Sequence, residues 1–518
     1  MSLRVAAIAA PGYLRGRPAG TTLASKDPAS LYNACRYAAH LADNSTGLWG
    51  DSNWADGRKS RRSSVLLLNS LQEDMQEFEE MLLRVKPNLL LIGSMTLCLL
   101  GAVECAKKAR EMFGDQICIV LGGKHVNESV YIDQGTGQIT HHVSSPLRLV
   151  ADGHIDNIFD LVIAGEGEYV IAKIGMVVSM LDKRKSSLAD IKKSLYYLSQ
   201  AQGNYIIGTV VNNDIRVVQS RGLPIDRNTL PSPSSMFGIQ TSFDIYPGTK
   251  TAHVFSDTGG GCVLNCDWCS ECLLVNGSLK QVNTSANRLY RQLQSAIEVV
   301  SHDSPGYKTS AFVEDSIMLA SSPRQLKMFS TLLEENNLDI KFGGQFTIDL
   351  AIKHFKPIVA LNKFDFDYIF FGLETIDPES VGGIDKVRSA NGVSWLQRAE
   401  KLFCDLYDHG INSGVSLLFG LGESRQDRIN LFEQIGKWQR DFKFPNTVSL
   451  NWAVQHPLKG NDQGMNYNYL NWGIPDDEYL EAMQIFGEAS LLYPIAGQSS
   501  PILAEVKEIS ELYKKLLY

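Results

Sequence analysis

Short, wholly apolar runs alternate with amphipathic stretches along most of the chain, and this alternation restricts the fold more than any other feature. In the first part, strands are expected at 5–10, 65–68, 89–92, 117–121 and 161–164. Helices are expected between them, over 99–113 and over 72–85, where Met75, Phe78, Met81, Leu82 and Val85 recur at helical spacing. Strands that are apolar on both faces and separated by helices belong in a parallel sheet covered on both sides. Ligands of such sheets sit beyond the carboxyl ends of the strands. Those ends here read Gly93-Ser94, Gly122-Gly123-Lys124-His125 and Gly165-Glu166-Gly167-Glu168. Glycines allow a ligand close to the backbone, and Ser94 offers a hydroxyl.

A second series follows. Strands are expected at 252–256, 311–313, 340–345, 368–372, 414–419 and 448–454, with helices over 286–300, 323–334, 395–409 and 425–442. Six strand–helix units read as a partial α/β barrel, and acidic residues or glycines recur at its strand ends, where barrel enzymes carry their chemistry. Between the series, a turn at Asn212-Asn213-Asp214 predicts a hairpin, and the Pro/Ser-rich stretch 223–236 reads as a linker. The tail predicts helices near 476–490 and 502–516. Tyr467, Tyr469, Trp472 and Tyr479 gather around the first, as a cap over the barrel mouth.

Four of the nine cysteines fall within eleven residues of "GGGCVLNCDWCSEC", residues 259–272. Three arrangements are open to them. Zinc would use Cys262, Cys266, Cys269 and Cys272, although zinc usually takes two separated ligand pairs. A ferredoxin-type cluster would use the same four thiols to carry electrons. A [4Fe–4S] cluster held by three thiolates would leave one iron open to a ligand. Cys35, Cys98, Cys105, Cys118 and Cys404 lie in apolar stretches and are expected to be core residues. An odd cysteine count with one dense cluster suits a reducing cytosol. The net charge of −8, with no basic block longer than Arg58–Arg62, weighs against a nucleic-acid partner. No uninterrupted apolar run reaches the ~18 residues of a membrane span.

Cys262-x3-Cys266-x2-Cys269, with aromatic Trp268 before the last cysteine, resembles the signature of the radical S-adenosylmethionine (SAM) superfamily. The resemblance implies that Cys262, Cys266 and Cys269 hold a [4Fe–4S] cluster. Its open iron would chelate SAM, and one electron would release a 5′-deoxyadenosyl radical. It further implies that Trp268, Glu314, Asp315, Glu374, Gly420 and Glu423 bind SAM. Glu314-Asp315 ends the second strand, and Glu374 completes a Gly-Leu-Glu element. Gly420, Gly422 and Glu423 shape the adenine side, and Lys386 matches a lysine that recurs after the fourth strand. The sixth element, "NWAVQHPLKG", lacks the family's Pro-Gly-Thr turn.

The order "KPNLLLIGSMT", "VLGGKHVNE", "DLVIAGEGE" resembles the cobalamin-binding domain that precedes the barrel in one class of these enzymes. That places Ser94, Gly122, Gly123, His125, Gly165, Glu166 and Gly167 at a cobalamin edge. The Asp-x-His-x-x-Gly loop of other cobalamin proteins is replaced by "PGYLRGRPAGTT", so no imidazole from that loop is expected on cobalt. Together the resemblances imply a Rossmann-like, doubly wound cobalamin domain over 1–180 and a hairpin and linker over 181–245. A partial (β/α)6 barrel over 246–459 and a helical cap over 460–518 complete the chain. The implied activity is cobalamin-dependent C-methylation of a small natural-product intermediate in the cytoplasm. An external flavodoxin- or ferredoxin-type reductant would serve it, with neither nucleic acid nor membrane as partner. A radical rearrangement, ring contraction, cyclisation or oxidation would use the same parts without methyl transfer. Transfer RNA methylthiolation fits less well: the first half has no second cysteine trio, and no basic tail follows.

Overall fold

A computed structural model describes residues 3–13, 63–68, 70–133, 136–230, 232–237, 239, 243–256, 261–266, 268–272, 279–378, 381, 394–457, 467–473 and 476–516. Cys35 and Lys386 lie outside the described residues. The chain forms two compact units, Met1–Gly238 with Pro457–Trp472, and Ile239–His456 with Gly473–Tyr518.

The first unit is built on β1 (Val5–Ala9), β2 (Ser63–Leu67), β3 (Leu89–Gly93) and β4 (Cys118–Gly122). A small hairpin of β5 (Val130–Ile132) and β6 (Ile139–His141) follows. The sheet is completed by β7 (Leu161–Gly165), β8 (Tyr205–Val211) and β9 (Asp214–Gln219). The order is β2-β1-β3-β4-β7-β8-β9. Its first five strands are parallel, and growth of the sheet reverses direction between β1 and β3, which makes that junction the topological switch point. Ala9, Gly93 and Gly122 are in register, so three carboxyl ends finish level. Strands β1 and β3 are buried along their whole length, as two covered faces require. The helix Leu71–Val85 turns Phe78, Met81, Leu82 and Val85 inward and ends at Lys86 in the left-handed conformation.

The predicted hairpin forms as β8–β9, with Asn212 and Asn213 at φ 52° and 65°, the left-handed pair that a tight primed turn needs. It does not stand between domains. Val162–Gly165 of β7 pairs antiparallel with Tyr205–Gly208, so the hairpin extends the first sheet.

The second unit carries β10 (Thr249–Val254), β11 (Lys308–Val313), β12 (Lys341–Phe346), β13 (Phe366–Glu374), β14 (Asn412–Phe419) and β15 (Thr447–Trp452), all parallel and in chain order. The helices Ser285–Asp303, Pro323–Asn336, Trp395–Asp408 and Arg425–Phe442 connect them in a half-barrel. Serines 394 and 424 start two of these helices with capping boxes. One face of the sheet, through Val254, Val313, Phe371 and Leu417, packs with Leu289, Phe329, Leu402 and Trp438 of the helices into one core. The opposite face is polar in its lower part: Thr249, Ser310 and Thr251 form a hydroxyl ladder at 2.7 and 2.9 Å.

In the tail, the first helix spans only Asp477–Met483, shorter than the 476–490 expected from periodicity. The chain leaves it to pair beside the last strand, through bridges Leu450–Phe486 and Val454–Pro494. Backbone pairing with the open edge of β15 replaces the final helical turns. The last helix spans Leu503–Lys514.

Candidate functional site

The cysteine loop leaves the carboxyl end of β10, the first strand of the half-barrel. Three side chains, two of them buried, hold its base. The Gln292 carboxamide accepts the Phe255 amide at 2.8 Å, Asp315 accepts the Ser256 amide, and Arg288 donates to the Ser256 carbonyl at 3.1 Å. Arg288 is itself buried and also reaches the Gln281 carbonyl at 2.7 Å. Further on, the Glu271 carboxylate accepts the Gly261 amide at 2.9 Å and draws the two ends of the loop together. Two successive turns, Cys269 N–H to Cys266 O and Cys272 N–H to Cys269 O, each at 3.1 Å, connect three of the cysteines. Cys262, Cys266 and Cys272 are buried and Cys269 is half-buried. Trp268 packs on Leu418, Leu421 and Ala453, which lie at the ends of β14 and β15. A loop from the first strand therefore reaches the ends of the last two.

Among the described residues, no three His, Cys, Asp or Glu side chains are gathered as ligands of a single metal ion. A four-iron cluster takes one thiolate per iron at the corners of a cubane, farther apart than the ligands of one zinc. Cys262, Cys266 and Cys269 share one short, braced loop. The other described cysteines are of a different kind. Burial pushes the thiols of Cys105, Cys118 and Cys404 up, so they stay protonated, the first two within the core and half-buried Cys404 packed against it.

Beneath the loop, on the face away from the helices, His253 Nδ1 lies 2.6 Å from Glu314 Oε1, with His253 1% exposed. The other Glu314 oxygen takes no hydrogen bond among the described residues. Phe243 meets the His253 ring edge-on at 5.2 Å and continues into Phe312 and Tyr368, an aromatic floor across the inner face. Sequence reading missed His253, although its alternation with Ala252 and Val254 places it on the inner face. Glu314 should depend on it. His253→Ala should lower stability by about 1–3 kcal/mol, because a largely covered carboxylate loses its partner, while His253→Gln keeps a donor. Urea midpoints at constant slope read the difference. Equal midpoints for the two variants would show that the pair is not needed.

Glu374 ends β13 after a register shift at Gly372–Glu374, is 4% exposed and adopts φ 62°, an uncommon backbone for a side chain this size. Two of the expected SAM-binding acids hold backbone amides. Asp315 braces the cysteine loop, as described. Glu423 accepts the amides of its own turn, Gly420 and Leu421, both at 2.9 Å, and faces Arg428 at 3.6 Å. Gly420 has φ 79°, and a Cβ there would sit 2.3 Å from Trp452 Nε1, so only glycine fits the turn.

In the first unit the structure divides the expected cobalamin residues. Gly122, Gly123, Gly165 and Gly167 lie along the strand ends, with Gly165 exposed. The others turn inward. Ser94 is buried and donates to the Met95 carbonyl at 2.8 Å. His125 is buried, with Nδ1 3.3 Å from Thr96 Oγ1 and Nε2 3.0 Å from the Ser144 carbonyl. It belongs to the packing under the edge. The Glu166 carboxylate accepts the Asn204 amide at 2.8 Å and pairs with Arg227 at 3.3 Å, which fastens the β8 end. Tyr467, Tyr469 and Trp472, expected over the barrel mouth, belong to this first unit. Trp472 Nε1 donates to the Leu97 carbonyl at 2.8 Å, a partner the barrel tail was not expected to have. Among the described residues no helix is long and apolar enough to cross a membrane.

No protein-family model matches the chain, and no curated protein matches it significantly. Solved structures do resemble it. One is the radical SAM methyltransferase TsrM from Kitasatospora setae with tryptophan substrate and a SAM analogue bound, at 12% identity, 87% coverage of this chain, 73% of that one, and TM-score 0.48. The same protein with cobalamin and a [4Fe–4S] cluster gives 12%, 88%, 72% and 0.47. The cobalamin-dependent SAM radical enzyme OxsB, with aqua-cobalamin and SAM bound, gives 14% identity, 99% of this chain, 62% of that one, and TM-score 0.49.

Proposed function

We propose that the chain is a cobalamin-dependent radical SAM enzyme that methylates an unactivated carbon of a small natural-product intermediate. The observation that carries the reading is the braced three-cysteine loop at the carboxyl end of the first strand of a six-stranded parallel half-barrel. Cys262, Cys266 and Cys269 would hold a [4Fe–4S] cluster, and the glycine-lined strand ends of the first unit would hold cobalamin. Bound there, the two groups supply one-electron cleavage of SAM and a transferable methyl group.

The chain's own residues bind, orient and exclude water. Glu314, steadied by His253, offers a carboxylate oxygen toward the ammonium of an amino-acid moiety. Trp268 holds the loop over the inner face. Phe243, Phe312 and Tyr368 cover that face from below and would keep water from a ligand there.

The test is product stoichiometry. Methyl transfer to carbon uses two molecules of SAM per turnover and gives both S-adenosylhomocysteine and 5′-deoxyadenosine. A rearrangement or oxidation needs no methyl donor. Anaerobic incubation of cobalamin- and iron-loaded protein with reductant and candidate substrates should yield both products. 5′-Deoxyadenosine without S-adenosylhomocysteine would replace the methyltransferase reading with radical rearrangement or oxidation.

A further inference from the structure

We infer that residues 467–472 form a retaining wall of the ligand site in the first unit. The inference rests on reading that unit as a cobalamin site. The segment returns to the first unit more than three hundred residues after β7, and its side chains reach the loops that follow three of the parallel strands. Trp472 meets Tyr13, just beyond β1, at a tilt of 44° with 5.8 Å between centroids, and its indole N–H donates to the Leu97 carbonyl, just beyond β3. Tyr469 meets His125, just beyond β4, edge-on at 5.7 Å, and Tyr467 lies 6.2 Å from Tyr469. The loops after β1 and β3 are the two sides of the switch point, where a ligand of this sheet order binds.

Two features mark the segment as more than a passing connection. Tyr469 is 1% exposed yet holds φ 54°, a conformation that costs a bulky residue energy and persists only where the surroundings impose it. Tyr467 and Trp472 stay half-buried, and their flat, amphipathic rings are suited to lie against a broad, mostly apolar ring with polar rim groups, such as a corrin. A ligand seated at β1 and β3 would leave only after Trp472 gives up both the Leu97 hydrogen bond and the Tyr13 contact. The wall therefore controls release more than entry.

Hydroxocobalamin is the probe. The full-length protein is loaded, and release is followed by absorbance after excess competing cobalamin is added. Trp472→Ala should release it about tenfold faster or more, from one lost hydrogen bond and one lost aromatic pair. Trp472→Phe, which keeps the ring, should fall between. If the alanine variant misfolds, hydrogen exchange on the unaltered protein decides: loading should slow the amides of 97–98 and 469–472. Binding with unchanged release, or without added protection there, overturns the wall and leaves the cobalamin reading standing. Failure of the unaltered protein to bind hydroxocobalamin overturns both.

Discussion

Alanine at Cys262, Cys266 or Cys269 is expected to remove the reconstituted iron and reduce SAM cleavage to background. Cys272→Ala is expected to keep both. Each of the three thiolates would hold one iron of the cluster, and the neighbouring backbone offers no replacement ligand of comparable softness. The fold should survive each substitution, since Glu271, Arg288, Gln292 and Asp315 brace the backbone of the loop and its base. Iron content, the absorbance of the reconstituted protein and 5′-deoxyadenosine formation check the set. If Cys272→Ala loses iron as completely as the other three, a four-thiol electron carrier replaces the open-iron centre.

Gly123→Ala should be among the most damaging single changes in the first unit. Gly123 follows β4 at φ 97°, and an added Cβ would lie 2.5 Å from the Ser94 amide nitrogen and 2.8 Å from its carbonyl oxygen. Both neighbours are backbone, pinned by Ser94 N–H to Gly122 O and His125 N–H to Ser94 O, so neither can move aside cheaply. Strained backbone and overpacking together should cost about 2–4 kcal/mol. Gly153 is the control, because it also has positive φ, 77°, but open space around its Cβ. Gly153→Ala should cost only about 1 kcal/mol. The thermal transition of the first unit, and its cobalamin affinity, would show the difference. Equal effects of the two substitutions would mean that the β3 and β4 loops are not locked together as described.

The secondary elements were readable because their signals are local. Continuous apolar runs marked the buried strands, and Leu99–Phe113 forms the helix that its spacing predicts. The cysteine spacing marked its loop in the same way, and the structure puts that loop at the end of a barrel strand. What escaped were pairings made over long separations. Nothing near Trp472 indicates a hydrogen bond to Leu97, and nothing near Tyr205 indicates that the hairpin would extend β7. Site acids posed a similar problem. Glu314, Asp315 and Glu423 look alike in sequence, each a carboxylate at a strand end. Only the donors around them separate Glu314, with an oxygen left for a ligand, from Asp315 and Glu423, which hold backbone amides. The inward turn of His125 and Ser94 was not legible for the same reason: a polar residue at a glycine-rich edge satisfies itself inward when a hydroxyl or carbonyl lies within reach.

The central claim is that the half-barrel holds a [4Fe–4S] cluster whose one unprotected iron binds SAM. Electron paramagnetic resonance of the anaerobically reconstituted, reduced protein, recorded with and without SAM, tests it most directly. The account predicts about four irons per chain and the signal of a reduced [4Fe–4S] cluster, which shifts when SAM occupies the open iron. A signal that SAM leaves unchanged, or protein that takes up no iron, would contradict it.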